Sequence, residues 1–111
     1  MTDSFMGKVA LVTGAGIGIG YALCRALAEA GAVVALNDLN AERAAQAADT
    51  LNRALGVTRV YAYSADVADV AVMRALVEGI AGRLGRLDIA IANAGITLFG
   101  RFLEYEPENF D

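Results

Sequence analysis

The chain has 111 residues, 57% of them hydrophobic and 20% charged, with 1 Cys and no His. This is the length of one domain; lacking histidine it has no Ser-His-Asp triad, Cys–His pair or His-ligated zinc, and its single Cys24 excludes disulfide frameworks and thiolate clusters. Nine basic against thirteen acidic residues leave a net charge of −4, the wrong sign for gripping a phosphate backbone, and no apolar run nears the ~20 residues of a bilayer span. Met1 to Lys8 is polar with one Phe and carries no signal-peptide pattern. The expectation is a soluble, cytoplasmic, acidic protein without nucleic-acid or membrane partners, and a lone Cys fits a reducing compartment.

Val9-Ala10-Leu11-Val12 is the first of four short apolar runs that lack polar alternation, the pattern of parallel strands covered on both faces. Ile19, Leu23, Ala26, Leu27 and Ala30 then fall at helical spacing, and Gly31 follows as a helix end. Val33-Val34-Ala35-Leu36 is the second strand. Asn40 stands as an N-cap before the stripe Ala44, Ala48, Leu51 and Leu55, which Gly56 ends. Val60-Tyr61-Ala62-Tyr63 is the third strand. Asp69 caps the stripe Met73, Leu76, Val77, Ile80 and Leu84, ended by Gly85, and Ile89-Ala90-Ile91-Ala92 is the fourth strand. The reading is β-α-β-α-β-α-β with right-handed crossovers, a three-layer doubly wound parallel sheet of order 3-2-1-4. Beyond Gly95, Pro107 among the acids of Glu104 through Asp111 suits a first helical turn better than a metal site, and the chain is expected to be incomplete.

Thr13-Gly14-Ala15-Gly16-Ile17-Gly18-Ile19-Gly20 lies where the first strand turns into the first helix. Its glycines remove each Cβ that would hold a ligand off the backbone. Free N–H groups at the helix start add partial positive charge, an anion site suited to a pyrophosphate. The common G-x-G-x-x-G spacing fails because Ile19 occupies its third glycine. The spacing that fits is T-G-x-x-x-G-x-G, on Thr13, Gly14, Gly18 and Gly20.

In that form the loop resembles the cofactor loop of the short-chain dehydrogenase/reductase family. The resemblance runs from Lys8 to Asp111, with the motifs in the expected order. It implies a Rossmann-type domain over residues 1–111 that is the N-terminal, cofactor-binding portion of a longer chain. The loop residues Gly14, Gly16, Ile17, Gly18, Ile19 and Gly20 would hold the dinucleotide. Asp38, ending the second strand, can accept from an adenosine ribose and implies NAD over NADP, with Leu39 beside it. A 2′-phosphate there would meet like charge worth several kcal/mol, an order-of-magnitude figure. Neither Ile17 nor Leu39 supplies the basic residue that NADP-preferring relatives place at those positions. Asp66-Val67 resembles the family's adenine-binding Asp-Val pair. Ala92-Asn93-Ala94-Gly95 resembles Asn-Asn-Ala-Gly with its first Asn replaced; Asn93 can tie the fourth strand to the loop or serve only as structure.

The family reaction is hydride transfer between nicotinamide and an alcohol or carbonyl carbon, using a Ser, an Asn and a Tyr-x-x-x-Lys pair. None of these can be assigned here. The only lysine is Lys8, and Tyr21, Tyr61, Tyr63 and Tyr105 have no lysine at that spacing. Asn109 is left unassigned, and Ser64 belongs to the adenine side. Substrate choice and the contacts of any homo-oligomer would lie mostly beyond Asp111. Two alternatives stand beside this reading. An S-adenosylmethionine-dependent methyltransferase would use Gly14, Gly16, Gly18 and Asp38 but leaves Thr13 and Asn93-Ala94-Gly95 unexplained. A non-catalytic dinucleotide sensor would fit the missing Tyr and Lys.

Overall fold

A computed structural model describes residues 4–93. The elements are β1 (Val9–Thr13), α1 (Gly18–Glu29), β2 (Val33–Asp38), α2 (Ala41–Leu55), β3 (Val60–Ser64), α3 (Val70–Leu84) and β4 (Ile89–Ala92). The sheet order is β3-β2-β1-β4 and every neighbouring pair is parallel, with Leu11 opposite Ala35 on one side and Ala90 on the other.

Side chains alternate across a strand, and the two faces collect different helices. Ala10, Val12, Val34 and Leu36 pack with Cys24, Leu27 and Ala28 of α1 and with Ala44, Ala48 and Leu51 of α2. Val9, Leu11 and Ala35 pack with Met73, Leu76 and Ile80 of α3. The result is the expected three-layer α/β/α arrangement. Leu11, Leu36, Leu51 and Ile80 are wholly buried, each worth about 1.5–3 kcal/mol of burial.

The helix ends follow local chemistry. Asn40 Oδ1 accepts from the Arg43 N–H, and Asp69 Oδ1 accepts from Ala71 and Val72. Gly56 and Gly85 close α2 and α3 in the left-handed conformation.

Two expectations need correction. The inward face of α1 is Gly20, Cys24, Leu27 and Ala28; Ile19 is 73% exposed and Ala26 is exposed. Two stripes one residue apart both have helical spacing, and the close seat of Gly20 on the preceding loop selects the second. The strands are also not all covered on both faces. Both β1 and β2 are, whereas β3 and β4 alternate between more and less exposed positions because they are the outer strands among the described residues. Ala94, Gly95 and the expected helix start around Pro107, with its acids and Asn109, lie outside the described residues.

Candidate cofactor site

All strand C-termini of a parallel sheet lie on one edge. Because β1 has β2 on one side and β4 on the other, the chain reverses its direction across the sheet beside β1, opening a crevice at its mouth. The loop from Gly14 to Ile17 lies there, between β1 and α1.

Its glycines have separate causes. Gly14 and Gly18 have φ of 60° and 68°, a backbone region that side chains disfavour. Gly16 and Gly20 have no room for a Cβ. At Gly16 it would lie 2.7 Å from Arg43 Cγ and 2.9 Å from Asp38 Oδ1; at Gly20 it would lie 2.8 Å from both Ala15 Cα and Asn93 Nδ2. The clearance expected for a ligand is therefore, at these two positions, clearance for the protein itself. At Gly18 nothing among the described residues lies within 4 Å of where its Cβ would be.

The end of β2 organises the loop. Asn37 is buried; its Nδ2 donates to the carbonyls of Tyr63 (3.1 Å) and Ala65 (3.2 Å), and its Oδ1 accepts from the Gly14 N–H at 3.3 Å. The Ala15 N–H donates to the Asn37 carbonyl at 2.7 Å, and the Gly16 N–H donates to Asp38 Oδ1 at 3.3 Å. Three loop N–H groups are thus occupied by β2. The donors left for an anion are those of the first turn of α1. Its N-cap is Ile17, among the described residues no side chain caps it, and no acid sits in its first turn. In α2 and α3, by contrast, Asn40 and Asp69 fill that role.

The Asp38 side chain is 6% exposed and accepts from Gly16 N–H, Asn40 N–H and Arg43 Nε, the last two at 2.9 Å. Burial, the largest single influence, pushes its carboxyl up. The Asn40 N–H, the Arg43 guanidinium and the Gly16 N–H together outweigh that and hold it below the ordinary carboxylate value. The site therefore presents a fixed, ionised carboxylate at neutral pH.

The other candidate residues are spread along the same edge. Leu39 is exposed, and its carbonyl accepts from Ser64 Oγ at 3.1 Å. Asp66 is exposed and accepts from the Ala68 N–H, while Val67 turns inward onto the α3-side core. Asn93 Nδ2 donates to the Gly14 carbonyl at 3.0 Å, tying the end of β4 to the loop. Cys24 is buried and its thiol is pushed up to about 12, so it is no nucleophile at neutral pH. Tyr61 and Tyr63 lie under the Arg83 guanidinium, 5.5 and 5.9 Å from their centroids, a packing role.

Sequence reading missed Asn37 and Arg43. For Asn37 a signal was present: an amide following directly on an apolar strand run needs buried partners. Arg43 sits within the first turn of α2, behind the Asn40 cap, but its pairing with Asp38 is a tertiary fact.

Sheet order, crevice and loop define a Rossmann-type α/β domain, the class that holds nucleotides at its switch point. A family model described as short chain dehydrogenase matches residues 8–111, and this chain belongs to that family. Versicolorin reductase 1 of Aspergillus parasiticus is 44% identical over 105 residues, covering 95% of this chain and 40% of that protein. Two solved structures are similar to it. The 3-ketoacyl-(acyl-carrier-protein) reductase from Brucella melitensis, complexed with NADH, has a TM-score of 0.70 at 33% identity, covering 78% of this chain and 34% of that one. The Pseudomonas aeruginosa RhlG/NADP active-site complex has a TM-score of 0.73 at 37% identity, covering 83% and 36%. The chain spans about two fifths of the length of the curated relatives it matches. These relatives favour neither the methyltransferase nor the sensor alternative.

Among the described residues no helix is long and apolar enough to cross a membrane, and no three metal-ligating side chains converge. The family binds nicotinamide dinucleotides, and the residues here fit one. Among the described residues the α1 start is free of side-chain caps, Gly18 leaves room above it, and an ionised carboxylate stands one strand over.

Proposed function

We propose that residues 1–111 are the NAD(H)-binding portion of an oxidoreductase acting between alcohol and carbonyl groups. The observation that carries this is the uncapped N-terminus of α1 set beside the buried, ionised Asp38. The N–H groups of Gly18, Ile19 and Gly20 bind the diphosphate, with Ile17 and Ile19 as apolar flanks and Gly14 and Gly16 shaping the turn. Asp38 accepts from the adenosine ribose, Leu39 and Asp66-Val67 border the adenine, and Asn93, Ala94 and Gly95 border the ribose on the nicotinamide side. The bound dinucleotide supplies the hydride donor or acceptor.

NAD is preferred over NADP because a 2′-phosphate at Asp38 would meet a negative charge in a partly desolvated setting. This chain has one lysine, Lys8, and no Tyr-x-x-x-Lys, so it binds cofactor without turnover. A lone buried cysteine suits a reducing cytoplasm.

Titration with NADH, followed by its fluorescence, tests the reading. Saturable binding that Asp38→Asn weakens about tenfold is expected, the loss of a charge-assisted bond. Tighter binding of S-adenosylmethionine than of NADH would overturn it.

A further inference from the structure

We propose that Arg43 is a specificity-determining residue of the cofactor site: it offsets much of the Asp38 charge and offers a guanidinium to a 2′-phosphate, so the preference for the unphosphorylated dinucleotide is shallow. The inference rests on the cofactor-binding reading above and deepens it.

Arg43 lies across both parts of the site. Its Nε donates to Asp38 Oδ2 at 2.9 Å, and its stem covers Gly16 so closely that a Cβ there would lie 2.7 Å from Arg43 Cγ. The surface on which an adenosine ribose must sit, between the loop and the end of β2, is thus edged by this side chain.

The acceptor count gives that position a consequence. Each carboxylate oxygen has two lone-pair directions. Oδ2 already accepts from Asn40 N–H and Arg43 Nε, and Oδ1 accepts from Gly16 N–H. Counting the described residues, Asp38 therefore has one free position, on Oδ1, while Arg43 stays in place. A ribose diol can use that position, and a second bond becomes available when Arg43 withdraws.

The Arg43 side chain is 45% exposed, and Nε is only one of the places from which it donates. The rest of the planar fork suits a phosphate, which it can grip with two parallel bonds. Ile17 and Leu39 offer no cation, but Arg43 reaches the same acid from the first turn of α2. A bare Asp38 would repel a 2′-phosphate strongly; the paired Arg43 offsets much of that repulsion and adds a movable donor, which reduces the preference without reversing it.

The test compares dissociation constants for NADH and NADPH, by fluorescence, in the 111-residue chain and its variants Arg43→Gln and Arg43→Lys. Circular dichroism melts identify folded variants. Arg43→Gln is expected to raise the NADPH/NADH ratio about tenfold or more by weakening NADPH, with NADH changed less than about threefold. Arg43→Lys, which keeps the charge without the fork, is expected to fall between, and its ratio carries the test if the Gln variant does not fold. In the parent chain NADPH binding is expected to weaken with added salt more steeply than NADH binding. An unchanged ratio in the folded variants, with both cofactors still bound, overturns the role of Arg43 and leaves the cofactor site standing. If the parent chain binds neither cofactor, the inference falls together with the reading beneath it.

Discussion

Gly20 and Gly79 are both helical glycines, and the structure predicts opposite results for the same substitution. At Gly20 a Cβ would approach Ala15 Cα and Asn93 Nδ2 to 2.8 Å and the Gly14 carbonyl oxygen to 2.9 Å. Two of those three atoms are backbone, so the loop itself must move. Overpacking of this kind costs about 1–3 kcal/mol, and displacing Asn93 disturbs its bond to Gly14, worth about 1 kcal/mol. Alanine's better helix propensity returns about 1 kcal/mol. The net for Gly20→Ala is a destabilisation of about 1–3 kcal/mol, or a fall in melting temperature of about 4–8 °C per kcal/mol for a domain this size. Gly79 lies on the exposed side of α3 with nothing within 4 Å of its Cβ position. There only the propensity acts, and Gly79→Ala is expected to stabilise by up to about 1 kcal/mol. Thermal and urea melts of both variants, with NADH titrations alongside, make the comparison. A Gly20→Ala chain that melts at or above the parent and binds NADH equally would refute the close-approach argument.

Asn37→Ala should cost about 2–4 kcal/mol in a urea melt, because it strips partners from the Gly14 N–H and from the Tyr63 and Ala65 carbonyls; a loss under about 0.5 kcal/mol would contradict it. Asp38 is held below its ordinary value in the folded chain, so in that window the unfolded state binds more protons. Its stabilising contribution is complete above the ordinary carboxyl value and is lost as pH falls through the depressed one. Asp88, held down by the Arg86 guanidinium and the Val9 N–H, acts in the same direction. Urea midpoints measured from pH 6 downward should therefore fall, and Asp38→Asn should flatten part of that fall; an unaltered profile would speak against it. Cys24, buried with its thiol pushed up to about 12, should react with a disulfide reagent only as fast as the chain opens. Rapid labelling under native conditions would contradict that placement.

Sheet order was legible because four unbroken apolar runs separated by helical stripes leave few right-handed arrangements. The caps at Asn40 and Asp69 and the glycine ends at Gly56 and Gly85 were legible because capping is local chemistry. The inward face of α1 was not, since Ile19 and Gly20 begin equally regular stripes and only the contact with Ala15 decides between them. In the site, the glycine loop and Asp38 stand out by spacing. The Asp38–Arg43 pair and the threefold bonding of Asn37 depend instead on how the β1 loop meets the end of β2, a distance no spacing rule contains.

The central claim is that the first turn of α1 grips a diphosphate while Asp38 receives the adjoining ribose. Amide chemical shifts of the isotopically labelled chain, followed during titration with NADH, test it most directly. The largest changes are expected at Ile17 through Gly20 and at Asp38 and Leu39. Changes centred on the far edge of the sheet, around Arg59 or Leu87, with the glycine loop unmoved, would contradict it.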